Sequence, residues 1–132
     1  MGKAQETKKL DKVLSEYVRR SNADSAGYVS CFTCSVKIPF RNADCGHFIT
    51  RSKKATRWLY KPSEGLTNVQ PQCKKCNGFL GGQQYIFAKR LDAVYGEGTA
   101  EKILQMSNKT FDMSLDEMVQ LRKYFQDKLK LL

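Results

Sequence analysis

Two Cys-x-x-Cys pairs, Cys31/Cys34 and Cys73/Cys76, flank the only histidine of this 132-residue chain, and the second pair runs directly into Asn77. Two-residue spacing lets both sulfurs of one turn reach a single ion at about 2.3 Å, so the two pairs together are expected to form one closed tetrahedral zinc site. Such a site is structural. Four thiolates leave no position for water, so any reaction must take place elsewhere. A redox role is the competing reading of one such pair, but there are two, and neither sits in a βαβ pattern. His47 as a ligand in a Cys3His site is a lesser alternative, because the four cysteines are better spaced. Cys45, the cysteine left over, reads as a small buried hydrophobe.

Closing the zinc site would draw in the segment it brackets, Asp44-Cys45-Gly46-His47, together with Asn77. These side chains suit one-metal hydrolysis of a phosphodiester. A hard cation such as Mg²⁺ takes oxygen ligands, and the Asp44 carboxylate and the Asn77 amide supply two. A neutral imidazole at His47 can take a proton from the attacking water. The cation would stabilise the phosphate and its leaving oxygen, with neighbouring Arg and Lys adding charge. Each residue alone has a plainer reading. Asn77 can cap the helix that follows, and His47 can be a hydrogen-bonded structural histidine. The case rests on the three together inside the zinc frame. On a regular strand Asp44 and His47 would point to opposite faces, so a bend or bulge at Gly46 is expected between them.

The formal charge of +10 is concentrated. Residues 31–90 carry eleven Lys/Arg against two acids, whereas residues 1–30 are net +2 and residues 91–132 net −1. The excess therefore surrounds the candidate site, and polyphosphate is the natural partner of that field. Arg51, Lys53, Lys54, Arg57 and Lys61 follow His47, and Lys74 and Lys75 lie in the second pair; these seven are the candidate DNA-binding cations. Trp58 and Tyr60 lie among them. Either could stack on an unpaired base, although a lone Trp is more often core.

The elements that must position these groups read as one α+β domain over residues 1–132, with 41% hydrophobic residues. Residues 1–7 are expected to be a frayed tail. Leu10, Val13, Leu14, Tyr17 and Val18 then mark an amphipathic helix over 8–21. Residues 28–49 read as a knuckle hairpin and a short strand carrying Asp44 and His47. Residues 50–72 read as loop, short strand and loop. Glycines at 78, 81 and 82 turn the chain into a helix over about 83–95, and a short helix follows near 100–106. Ser114-Leu115-Asp116-Glu117 is a capping box opening a last helix to about 131, with a broad apolar stripe. Residues 28–95 thus form the core region and residues 99–132 a helical C-terminal part. No membrane span and no secretory signal are expected, which points to the cytoplasm, of a host cell if the protein is phage-encoded.

The motifs Cys31-Phe-Thr-Cys34, Asp44-Cys-Gly-His47-Phe48 and Gln72-Cys73-x-x-Cys76-Asn77 resemble those of the recombination protein NinG (Rap) family of phage-type endonucleases. The Gly81-Gly82 turn and a helix to Tyr95-Gly96 also resemble that family. The layout is similar to that of phage endonuclease VII, in the ββα-metal or HNH superfamily. The resemblance implies a zinc-braced ββα-metal finger flanked by N- and C-terminal helices. It implies Asp44 and Asn77 as ligands of a catalytic cation, Mg²⁺ with Mn²⁺ as the alternative, and His47 as general base. It further implies a homodimeric endonuclease acting in DNA recombination on branched DNA such as Holliday junctions or D-loops. One departure is the absence of the further His or Asn that such enzymes often carry on the finger's helix, where Gln83 and Gln84 stand instead. A non-catalytic, zinc-ribbon-like nucleic-acid-binding adaptor is the alternative reading.

Overall fold

The first helix begins five residues earlier than its apolar stripe suggests, and the reason is a buried ion pair. In the computed structural model, which describes residues 2–132, α1 spans Lys3–Ser21. The Glu6 side chain is fully buried and accepts a bidentate pair of hydrogen bonds from Arg122, 116 residues further on. Only 17% of the Arg122 side chain is exposed. The residues expected to fray are therefore helical from Lys3 onward; Met1 lies outside the described residues. Leu10, Leu14 and Val18, four residues apart, are all buried on one side of α1.

Three two-stranded antiparallel ribbons follow. β1 (Tyr28–Ser30) pairs with β2 (Lys37–Pro39), and the first Cys-x-x-Cys is the turn between them. β3 (Asp44–His47) pairs with β6 (Val69–Gln72) in unbroken register, Asp44 opposite Gln72 and His47 opposite Val69. Between those two strands lie α2 (Lys54–Arg57) and a small hairpin of β4 (Tyr60–Lys61) and β5 (Leu66–Thr67). Where a loop, one strand and a second loop were expected, the chain thus builds a helical turn and two paired strands. After β6 the second knuckle passes into one turn of π-helix, Lys75–Phe79. Three helices complete the chain, α3 (Gln84–Tyr95), α4 (Thr99–Ser107) and α5 (Leu115–Lys130). The capping box at Ser114 is formed on both sides: Glu117 N–H donates to the Ser114 hydroxyl, and Ser114 N–H donates to the Glu117 carboxylate.

Two apolar cores hold these elements. The first joins Leu10, Leu14 and Val18 of α1 to Met118 and Phe125 of α5, with Trp58, Tyr60 and Val69. The second joins Phe32 and Leu59 to Phe87 and Leu91 of α3 and to Ala100 and Ile103 of α4. The result is a mixed fold of helices and small sheets. Among the described residues, no helix is long and apolar enough to cross a membrane.

Removing one member of a buried ion pair leaves the other charged and unpaired, at a cost of about 3–5 kcal/mol. Arg122→Ala is therefore expected to lower stability by that amount in urea unfolding. Replacing both partners, Glu6→Gln with Arg122→Met, should cost clearly less.

Candidate metal centre and the adjoining hollow

The four knuckle cysteines converge. Their sulfurs all lie within 4.8 Å of one another. A tetrahedral ion bound at about 2.3 Å sets its sulfurs about 3.8 Å apart, and Cys34 Sγ and Cys73 Sγ stand at 3.8 Å. Cys31, Cys73 and Cys76 are buried, Cys34 is exposed, and Ile38 packs against the group. The Cys76 amide donates to Cys73 Sγ at 3.4 Å, as in a metal knuckle. Charge is the difficulty that such a cluster presents. Burial alone would raise the Cys31 thiol, but bonds from the Thr33 hydroxyl and from backbone amides bring it down to about 6. The backbone at Val36 favours the Cys34 thiolate, yet burial and the neighbouring thiols leave Cys34 up at about 12. The cluster thus tolerates little negative charge without a cation. Its four-thiol donor set fits zinc, which would hold all four as thiolates.

Beside this centre, Asp44, His47 and Asn77 line one open hollow of about 650 Å³, together with Cys45, Thr50, Arg51, Gly81, Gly82 and Gln84. Asp44 and Asn77 are in direct contact, the Asn77 amide donating to Asp44 Oδ2 at 3.1 Å. The other carboxylate oxygen accepts the Lys74 ammonium at 2.7 Å. His47 bonds to neither. Its Nε2 lies 3.0 Å from the Arg57 carbonyl. A carbonyl only accepts, so Nε2 carries the proton and Nδ1 of the neutral ring is left with its lone pair. Burial lowers the His47 pKa, outweighing the hydrogen bond to Arg57 that favours the charged ring. The imidazole is therefore neutral at pH 7.

Of the bend or bulge expected at Gly46, the geometry excludes the bulge, since the ladder there is unbroken. The glycine is needed for space instead, since a Cβ there would sit 1.8 Å from Gln72 Oε1. Gln72 is fully buried and donates to the Thr33 hydroxyl and to the Gly82 carbonyl, both at 3.0 Å. It thereby ties β6 to the first knuckle and to the glycine turn. Nor does Asn77 cap a helix: α3 begins at Gln84, and its N-terminus has no side-chain cap.

The remaining candidates separate into exposed and internal groups. Arg51, Lys53, Lys54, Lys61, Lys74 and Lys75 are exposed. Arg57 is internal, holding Asp11 through Nε at 3.1 Å and Nη2 at 2.6 Å. Trp58 is core and donates to the same carboxylate at 2.7 Å. Tyr60 is buried, its hydroxyl accepting from Asn22 at 2.9 Å. Neither ring is free to stack on a base. Cys45 is half-buried against the first core, and burial raises its thiol to about 12, as suits a small hydrophobe. Gln84 lines the hollow, with its amide 3.4 Å from the His47 carbonyl, whereas Gln83 does not.

Sequence reasoning missed the residues that position the site. Asp11 of α1 fixes Arg57, whose carbonyl fixes His47. Although partial burial opposes it, hydrogen bonding from Arg57 and Trp58 holds the Asp11 carboxyl below its ordinary range. Asn68 is fully buried and pins the chain after β3 through both the N–H and the carbonyl of Ile49. Neither residue lies in a motif, and only the fold reveals its partner.

A family model described as Bacteriophage Lambda NinG protein matches residues 3–132, and the chain belongs to that family. No curated protein and no solved structure matches the chain.

The purified protein is expected to carry one zinc per chain by inductively coupled plasma mass spectrometry. Cys73→Ala should lose both the metal and the cooperative unfolding transition, because metal affinity and folding are linked. Cys45→Ala should keep both. A folded wild type without metal would overturn the assignment.

Proposed function

We propose that this NinG-family chain is a Mg²⁺-dependent endonuclease that hydrolyses phosphodiesters in branched DNA, such as a Holliday junction or D-loop, and works as a homodimer. The observation that carries the reading is the shared hollow. It brings a carboxylate, an amide and a neutral histidine with one fixed tautomer to a single opening beside the cysteine cluster. In this reading the β3–β6 ribbon, the turn bearing Asn77 and helix α3 act as a ββα-metal finger braced by zinc.

Asp44 would hold the cation through its carboxylate, and Asn77 would do so after its amide rotates to present oxygen. When bound, Mg²⁺ supplies Lewis-acid stabilisation of the pentacovalent phosphate and of the leaving oxygen. His47 Nδ1, freed by the Nε2–H bond to Arg57, accepts the proton of the attacking water. Arg51, at the mouth of the same hollow, would neutralise phosphate charge. Lys53, Lys54, Lys61 and Lys75 would hold the strand by its backbone, without reading sequence. The exposed Tyr124 of α5, with Leu131 and Leu132 just beyond the helix, is the surface suited to a second copy.

A second reading, a zinc-dependent DNA adaptor without catalysis, draws on one contact. Lys74 and Asn77 already satisfy Asp44 with two donors, and an adaptor needs no more from that carboxylate.

Synthetic four-way junctions with Mg²⁺ separate the two. Wild type should nick them, and His47→Ala should cut about 100- to 10,000-fold more slowly with little change in junction affinity, the range for a lost general base. Junction binding without nicking would favour the adaptor, and normal cutting by His47→Ala would remove the base assignment. The pH profile gives a further check. The His47 pKa lies below its ordinary 6.5, so the base is already unprotonated at pH 7. The cutting rate should be flat above pH 7 and fall only as pH drops below about 6.5, where the ring gains its proton.

A further inference from the structure

Phe79 is 90% exposed, the most exposed aromatic ring on the surface described. It is not at the end of a loose loop. The Leu80 amide donates to the Lys75 carbonyl at 2.8 Å, and the Gly82 amide donates to the Cys76 carbonyl at 2.7 Å. Cys76 belongs to the thiol cluster, so the turn that carries Phe79 is anchored at the metal centre. On either side of the ring, Gly78 and Gly81 have open space; a Cβ on either would meet nothing within 4 Å. The turn thus holds a phenyl ring out into water with room around it.

Its neighbours are cationic. Phe79 lines a shallow dish of about 440 Å³ with Lys74 and Lys75. Lys74 also connects the dish to the hollow, since its ammonium lies on Asp44 at 2.7 Å while 71% of its side chain remains exposed. Gly81 and Gly82, at the far end of the same turn, line the hollow beside His47. Ring and candidate reaction centre therefore share one short, pinned segment.

We propose that Phe79 stacks on a nucleobase left unpaired at a DNA branch, with Lys75 holding the adjoining phosphate, and so selects opened DNA over continuous duplex. The inference rests on the branched-DNA reading above and adds a residue that reads the branch. Charge complementarity chooses the occupant. An apolar protein ridge seated on Phe79 would bring the Lys75 ammonium against a surface without counter-charge. Intact duplex offers phosphates, but its base faces are covered by their neighbours. An unstacked base offers a flat apolar face with an anion beside it, which is the pattern of a ring flanked by lysines. Stacking tolerates any base, so this contact selects shape and not sequence.

The test measures binding apart from cutting. Fluorescence anisotropy without Mg²⁺, at one fixed salt concentration, compares a four-way junction and a bubble with a duplex of equal length. Wild type should prefer the opened DNAs. Phe79→Ala should lose about ten-fold or more on them, the scale of one lost base–aromatic stack, while its duplex affinity stays unchanged. Phe79→Trp should retain the preference. Phe79→Leu should lose most of it, since leucine keeps apolar area but has no flat face. Equal affinities of wild type for all three DNAs, or wild-type preference in Phe79→Ala, would overturn the proposal. The outcome is separable from that of the nuclease reading. A wild type that never nicks junctions, yet loses its preference in Phe79→Ala, leaves this contact standing and removes the endonuclease. A wild type that nicks junctions, with Phe79→Ala binding and cutting identically, does the reverse.

Discussion

Four sulfurs in one place are the constraint on which the rest depends. Cys31 and Cys34 come from the turn between β1 and β2, and Cys73 and Cys76 from the exit of β6. Side by side, four thiolates would repel one another, and burial and the neighbouring thiols hold Cys34 up at about 12 although the Val36 backbone favours its thiolate. A cation held by all four sulfurs would couple folding of this region to metal capture. The position of Asn77 follows, since it is the residue after Cys76 and its backbone N–H bonds back to the Cys73 carbonyl at 3.0 Å.

The hollow is built by two independent devices, one at each end of β3. At the Asp44 end, the knuckle turn presents Asn77 and Lys74 to the carboxylate. At the His47 end, Asp11 reaches from α1 to clamp Arg57, and the Arg57 carbonyl then selects the protonated nitrogen of the imidazole. The unbroken β3–β6 ladder keeps the two ends at a fixed separation. Gly46 lets Gln72 fill the space beneath, joining ladder, knuckle and glycine turn through one buried amide. Damage to the histidine's support need not disturb the metal knuckle, because the two are held by different elements.

Features written in local spacing were legible from the sequence. The two Cys-x-x-Cys pairs, the Leu10–Leu14–Val18 stripe and the Ser114–Glu117 box each depend on residues a few positions apart, and each is realised. What was missed depends on distance along the chain. The Glu6–Arg122 pair, which extends α1 into the expected tail, spans almost the whole molecule. The α2 turn and the β4–β5 hairpin are too short to carry a periodicity and are set by Trp58, Leu59 and Tyr60 entering the cores. The bend or bulge expected at Gly46 illustrates a particular ambiguity. A strand glycine marks either a bend or a close approach, and only the identity of the opposite residue decides between them.

Charge links the cysteine frame to the surface that the hollow presents. Residues 31–90 hold nearly all the excess positive charge, yet that excess is not one uniform field. Arg57 is neutralised within the fold by Asp11, and Lys74 is tethered to Asp44. Arg51, 60% exposed, lies 3.6 Å from Asp11 at the mouth of the hollow, while Lys53, Lys54, Lys61 and Lys75 face solvent. Salt screens the solvent-facing cations strongly and the Arg57–Asp11 pair, largely out of solvent, much less. The sulfur cluster therefore does more than close a knuckle. Cys73 and Cys76 bracket Lys74 and Lys75, so the cluster sets the turn from which Lys74 reaches Asp44.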